Sequence, residues 1–470
     1  MAMTASKEVK VTEECKITPA PNPPEKKLSS SSDEGNNNYL PLTFFDTIWL
    51  KFPPTQRLFF YEINHLSSHL FYNTILPNLK HSLSLTLQHY PSLAGNLNWH
   101  PETAKPIIRY SIADDGGVPF SVAESCTLDF DSLSTDHFKE AKDLHHLLPD
   151  FHYSESKANV LSLRVTLFPN YGFSIGYCAH HTSMDGKSTS MFLSSWATIC
   201  RRLGEGGAQL TPELIPILDR SFIQDPSNIS TIFTNQWMKM IHGNENKRSF
   251  VPLDMKPAPG LFRSTFRLTP EQIGHIKEKL AIIKSPVSTF TAVCSYVWTC
   301  LVKAEEGDIT KEIVYLNINV DCRGESRWDP PVPANYFGNC VTYRFAKAKV
   351  ECLKGGDGLV VAAAAIKEEI GSLAVKGKVE NWLLEVSSTF RNEKVYGIGG
   401  SPWFDFYGVD FGWGRPEKVE MVSSDRNGSF SLCDCRDGNG VIEIGIVLSK
   451  PKIQAFASIF AQGLLQEIAS

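Results

Sequence analysis

His181-Thr-Ser-Met-Asp185-Gly186, read with its flanks from Leu161 to Ile199, is the stretch that decides the fold. Upstream, Leu161, Leu163, Val165 and Leu167 alternate as a strand, Pro169-Asn170-Tyr171-Gly172 turns, and Phe173, Ile175, Tyr177 and Ala179 alternate back. Downstream the spacing becomes helical, with Met191, Phe192, Ser195, Trp196 and Ile199 on one face. His181 therefore leaves the edge of a hairpin at a strand-to-helix junction. A neutral imidazole there can accept a proton as an alcohol attacks a carbonyl. No nucleophile accompanies it, which points to direct group transfer. Asp185 can join the histidine in a dyad or cap the following helix, and adjacent Gly186 favours the structural role, with a buried arginine as partner. His180 should face the other side of the strand.

A chain of 470 residues exceeds the size at which one core usually stops growing, so two domains of comparable size are expected. Hydrophobic residues at 42% and charged residues at 21% describe a globular chain. A net charge of only −5 does not suggest nucleic acid or an anionic membrane as partner. The eleven cysteines are dispersed and lack a C-x-x-C pair, so neither a zinc site nor a disulfide framework is expected. The first ten residues carry no apolar signal core, and the apolar run Leu359 to Ile366 is too short to span a bilayer. These features make the cytosol the expected compartment.

Outward from the central motif, Pro19 to Asn38 reads as a loop rich in Pro, Ser and Asn, and Ile75 to Tyr90 as a core helix ending in a turn. Glu213 to Pro259 has weak periodicity and reads as a crossover between domains. In the second half, Thr269-Pro270-Glu271-Gln272 starts a helix running toward Lys284, and Phe290 to Leu301 marks another. Val314 to Val320 alternates as a strand that delivers Asp321 and Arg323 to its end. Phe430 to Cys435 and Val441 to Leu448 form a hairpin around Asp437-Gly-Asn-Gly440. Gly397-Ile-Gly399-Gly400 lacks a full dinucleotide fingerprint and reads as a loop. Mixed strands and helices in both halves imply two α/β domains.

Other chemistries fit poorly. His181 stands where a P-loop needs its first glycine, and no Gly-x-Ser-x-Gly elbow or His-Glu-x-x-His helix is present. His180, His181 and Asp185 do not match a metal-ligand spacing. A second distinctive string is Asp410-Phe-Gly-Trp-Gly414, where two glycines bracket Trp413.

His181 to Gly186 and Asp410 to Gly414 together resemble the two signatures of the plant BAHD acyltransferases, over nearly the whole chain. Tyr336-Phe-Gly-Asn-Cys340 resembles the motif of the branch that acylates flavonoid and anthocyanin glucosides, and Asp185-Gly-Lys-Ser-Thr189 and Ser401-Pro-Trp403 are most similar to its malonyl-transferring members. The resemblance implies an α/β fold of two chloramphenicol-acetyltransferase-like domains, each a mixed sheet flanked by helices, with a channel at their interface. The corresponding boundaries are 1–222, a crossover at 223–250, and 251–470. It implies His181 and Asp410 as catalytic residues, with Asp410 to Gly414 away from the reacting atoms. Asp185, Gly186, Arg323, Gly412, Trp413 and Gly414 would support the site, with Asp185 pointing away from the channel toward Arg323. Lys277, Ser288 and Thr289 match positions that contact CoA. The implied partners are malonyl-CoA, as co-substrate rather than cofactor, and a flavonoid-type glucoside, handled by a monomer without a metal. An aromatic acyl-CoA donor and a non-catalytic binding protein remain as alternatives.

Overall fold

The computed structural model describes residues 9–21, 39–110, 116–125, 127–204, 209–255, 257–305, 307–324, 328–371, 379–426 and 429–468. Most of the loop expected over Pro19 to Asn38, from residue 22 on, lies outside them, as does the start of the chain through residue 8.

Two mixed sheets carry the molecule. The first has six strands in the order Val9–Ile17, Val118–Ser125, Leu161–Phe168, Gly172–Ala179, Thr55–Glu62 and Lys418–Met421. The second has seven, in the order Val341–Lys349, Ile313–Asp321, Lys394–Gly400, Phe430–Cys433, Ile442–Ser449, Leu261–Leu268 and Lys139–Glu140. A smaller four-stranded sheet forms beside the first. The helices Leu76–Thr86 and Gly186–Arg201 bury Leu79, Leu83, Phe192 and Trp196 in one core. The helix Thr289–Ala304 buries Val293, Val297, Trp298 and Leu301 in another. Side chains of this size contribute about 1.5–3 kcal/mol each when fully buried, which fixes each helix on its sheet.

The two halves exchange strands. Lys418–Met421, from late in the chain, pairs antiparallel with Thr55–Glu62, whereas Lys139–Glu140, from early in the chain, pairs with Leu261–Leu268. A buried ionic network joins the exchanged pieces. Glu420 accepts Lys139 at 3.2 Å and Arg263 at 2.9 Å, and Arg263 also meets Asp425. Lys418 bridges Asp136 at 2.7 Å and Glu443 at 2.8 Å. Burial alone would raise the Glu420 pKa, but the cations Lys139, Arg263 and Lys418 hold it down at about 2.

Four expectations are corrected. The hairpin leading to His181 is interior, because Gly172–Ala179 is flanked by both Leu161–Phe168 and Thr55–Glu62. Gly397 to Gly400 belongs to a strand parallel to its two neighbours, its glycines demanded by packing, since a Cβ on Gly399 would lie 2.6 Å from the Met421 sulfur. The crossover contains a 14-residue helix, Ile229–His242, whose buried Ile229, Phe233 and Trp237 recur every fourth residue. Interspersed polar residues had obscured that stripe. The helix read toward Lys284 stops at Lys279 and tightens into a short turn, although its Thr269–Gln272 capping box is present.

Candidate active site

The strand Gly172–Ala179 is buried at every position, and it ends where His180 donates its backbone N–H to Val160. The chain then turns, with the Ser183 N–H and hydroxyl both donating to the His180 carbonyl at 3.0 and 2.7 Å. Asp185 caps the helix Gly186–Arg201, its Oδ1 accepting the Ser188 N–H at 3.0 Å. Its Oδ2 accepts Arg323 at 2.9 Å and the Cys340 N–H at 3.0 Å. Asp185 borders the cavity described below, yet both of its oxygens are engaged by protein. Arg323 also donates to Asp321 at 2.8 Å and to the Tyr336 and Gly338 carbonyls at 3.1 and 2.9 Å. Gly186 is demanded by a close approach, because a Cβ there would stand 2.5 Å from the Phe404 ring.

Two supports of His181 escaped the sequence reading. Trp49 lies flat against the imidazole, with ring centroids 3.7 Å apart and planes inclined by 3°. Asn339 donates to the His181 carbonyl at 2.9 Å and is itself fastened to the buried Asp46. The second was signalled by Tyr336-Phe-Gly-Asn-Cys340, whose structural work is to brace both His181 and Asp185. The first had no local signal, since a tryptophan far upstream meets the histidine only through the fold.

His181 Nδ1 is sealed within the protein, while the ring borders a cavity of about 1220 Å³. Burial pushes the His181 pKa down to about 4, against its own backbone carbonyl, Asp185 and Asn339, which favour the charged ring. His180 is sunk in the core and bonded at Nδ1 to the Thr182 hydroxyl, 2.9 Å away. Burial, followed by neighbouring His181 and Lys51, brings its pKa down to about 3. The unfolded chain therefore binds more protons than the fold between about pH 4 and 6.5, approaching two more near pH 5, so stability falls as pH drops through that window. The two rings together should contribute a slope of about 2.7 kcal/mol per pH unit near pH 5. Urea denaturation of His180→Gln should show the slope reduced by about half of that. An unchanged slope would mean that His180 is not buried as a neutral ring.

Both halves of the chain line the cavity, with Trp49, His181 and Asp185 from the first and Ser288, Asn317 and Tyr343 from the second. Trp403 also lines it with 74% of its surface exposed. Ser288 caps the helix Thr289–Ala304, and Lys277 donates to the Thr289 hydroxyl at 2.9 Å, so the three residues expected to contact CoA form one cluster, of which Ser288 reaches the cavity.

Asp410 does not meet His181. Its Oδ1 accepts the Gly412 and Gly414 amides at 2.7 and 3.0 Å, and those glycines adopt φ of +109° and +102°. The turn seats Phe411 against Trp196 and Trp413 near Phe173, and none of Asp410, Gly412, Trp413 or Gly414 lines the cavity. The expectation of Asp410 as a catalytic group thus finds it folding a turn beyond the cavity wall. Among the described residues no group of three or more His, Cys, Asp or Glu is placed to hold a metal ion. No described helix is long and apolar enough to cross a membrane.

Comparison with known proteins agrees in extent. A model of the Transferase family matches residues 24–462. Phenolic glucoside malonyltransferase 1 of Arabidopsis thaliana is 38% identical, over 97% of this chain and 98% of that protein. The malonyl-coenzyme:anthocyanin 5-O-glucoside-6'''-O-malonyltransferase of Salvia splendens is 37% identical, over 97% and 95%. Among solved structures, vinorine synthase superposes with a TM-score of 0.68 at 20% identity, covering 95% of this chain and 96% of that one. TRI101 of F. graminearum, complexed with coenzyme A and deoxynivalenol, gives 0.65 at 14% identity, over 89% and 97%. The last two are likenesses of fold.

Proposed function

Because the chain belongs to the Transferase family, the BAHD acyltransferases, and is thus an acyltransferase, we propose that it moves malonyl from malonyl-CoA to a sugar hydroxyl of a phenolic or flavonoid-type glucoside, with His181 as general base. The observation that carries the reading is the position of His181, braced by Trp49 and Asn339 and facing a cavity to which both halves contribute.

The reaction uses a ternary complex. Nδ1 is sealed within the protein, which leaves Nε2 to take the hydroxyl proton as the sugar oxygen attacks the thioester carbon. The tetrahedral intermediate collapses, the carbon–sulfur bond breaks, and the imidazolium returns its proton to the departing thiolate. Holding both substrates in one cavity supplies proximity. Asp185 and Arg323 fix the turn, and Asp410 acts through the fold of its own turn. Lys277, Ser288 and Thr289 receive the CoA portion, a lysine and a capped helix start being suited to its phosphates and amides.

We take 1–222 and 251–470 as the two domains, joined by the crossover at 223–250. One chain supplies both sides of the cavity, which supports a monomer as the working unit. The dispersed cysteines of the sequence, without a C-x-x-C pair or a disulfide framework, support the cytosol as its compartment.

Purified protein should transfer malonyl from malonyl-CoA to a phenolic or flavonoid glucoside at a rate unaffected by a chelator, read by product mass spectrometry. Strict dependence on a divalent ion, or turnover with aromatic acyl-CoA alone, would contradict the reading.

A further inference from the structure

A malonyl donor brings a free carboxylate into the cavity, and three of the cations that line it differ in what already holds them. Arg323 is committed to Asp185, Asp321 and two carbonyls. Lys187 is 42% exposed and faces Asp321 at 3.5 Å. Arg57 is only 6% exposed, lines the cavity, and has no acid within ion-pair distance among the described residues. Its guanidinium rests on the Phe406 ring at 4.2 Å and touches the Met421 sulfur at 3.7 Å, neither of which neutralises it. Asp434, a nearby acid, accepts the Phe406 and Tyr407 amides instead.

The surroundings suit an incoming anion. Arg57 stands opposite Tyr177 in the register of neighbouring strands, and the Tyr177 hydroxyl meets those of Thr55 and Thr189 at 2.7 and 3.3 Å. Gly400 borders the cavity beside the guanidinium, its own lack of a Cβ demanded by the Leu432 carbonyl, which a Cβ would approach to 2.6 Å. The guanidinium carbon lies over the Phe406 ring, and a planar fork matches a carboxylate through two parallel N–H···O bonds. A buried cation without an acid is costly in the empty protein and relieved when an anion binds.

We propose that Arg57 receives the free carboxylate of the acyl donor and thereby selects a dicarboxylic acyl thioester over an uncharged one. This rests on the malonyl reading above. CoA phosphates are the other anions that enter, and their contacts are assigned to the Lys277, Ser288 and Thr289 cluster.

The test is the ratio of kcat/KM for malonyl-CoA to that for acetyl-CoA with one phenolic glucoside, measured in wild type, Arg57→Met, Arg57→Lys and Lys187→Met. Calorimetric binding of both thioesters without acceptor gives a second readout. Arg57→Met should lower both ratios by about 10- to 150-fold, the factor for losing a charge-assisted bond. Arg57→Lys should retain part of the preference, since it keeps the charge and loses the fork. A folded Arg57→Met with the wild-type ratio overturns the proposal, as does a preference lost in Lys187→Met alone. Should Arg57→Met not fold, an Arg57→Lys ratio equal to wild type overturns it. Wild type that uses acetyl-CoA as well as malonyl-CoA sinks the donor reading itself, a result distinct from an intact preference that ignores Arg57.

Discussion

His181→Ala should lower turnover by about 10²- to 10⁴-fold while malonyl-CoA binds nearly as before, because the loss is of a proton acceptor and not of a donor contact. The pH profile sharpens this expectation. An exposed imidazole would be mostly protonated at pH 5.5, but burial brings His181 to about 4, so wild-type activity should persist at pH 5.5 and fall only as pH approaches 4. An acid limb centred near 6.5 would show that the base lies elsewhere or that the ring is not buried. Donor supplied without acceptor should leave no malonyl adduct on the protein by intact-mass measurement, since direct transfer passes through no acyl-enzyme. A stoichiometric adduct on the route to product would sink the mechanism, and near-wild-type turnover in His181→Ala would remove the base assignment.

Arg323→Ala should cost about 3–5 kcal/mol of stability, the loss typical of stranding one member of a buried ion pair. It leaves Asp185 in the protein interior with the Cys340 and Ser188 amides but no counter-charge. Asp185→Asn keeps an oxygen to cap the helix and loses the charge, so it should destabilise less while reducing turnover in step. Asp185→Asn should also move the acid limb of activity toward lower pH, because it removes a charge that favours the protonated His181 ring. Chemical denaturation alongside pH–rate profiles separates the outcomes. A fully stable Asp185→Asn protein that has nonetheless lost turnover at every pH would make the aspartate part of the proton path.

Local rules made much of this molecule legible in advance. Alternation from Leu161 to Ala179, helical spacing from Met191 to Ile199, and the Thr269–Gln272 capping box each report on a few consecutive residues, and the corresponding elements are present. The Asp185–Arg323 contact is long-range, and it became legible only through the resemblance of both segments to a family. What stayed hidden was what tertiary packing alone decides. Gly397 to Gly400 looks like a loop by composition, yet the Met421 and Ser429 side chains that crowd it make glycine the residue that fits a strand there. Trp49 on His181, Asn339 beneath it and Arg57 without an acid depend on partners far away in the chain, and no periodicity announces them.

The reciprocal loan of Lys418–Met421 and Lys139–Glu140, riveted by Glu420, Arg263 and Lys418, bears on how substrates come and go. Two bodies joined by one linker can open like a clamshell, but each sheet here would have to surrender a hydrogen-bonded strand and uncover buried charge to do so. Access must therefore be governed by side chains and loops at the rim, such as the segment carrying Trp403, while the catalytic frame stays rigid. The same interlock makes the halves inseparable as parts. A fragment ending in the crossover would lack an edge of its own sheet, whereas a full-length chain cut once within the crossover would keep every strand and should hold together without a covalent link.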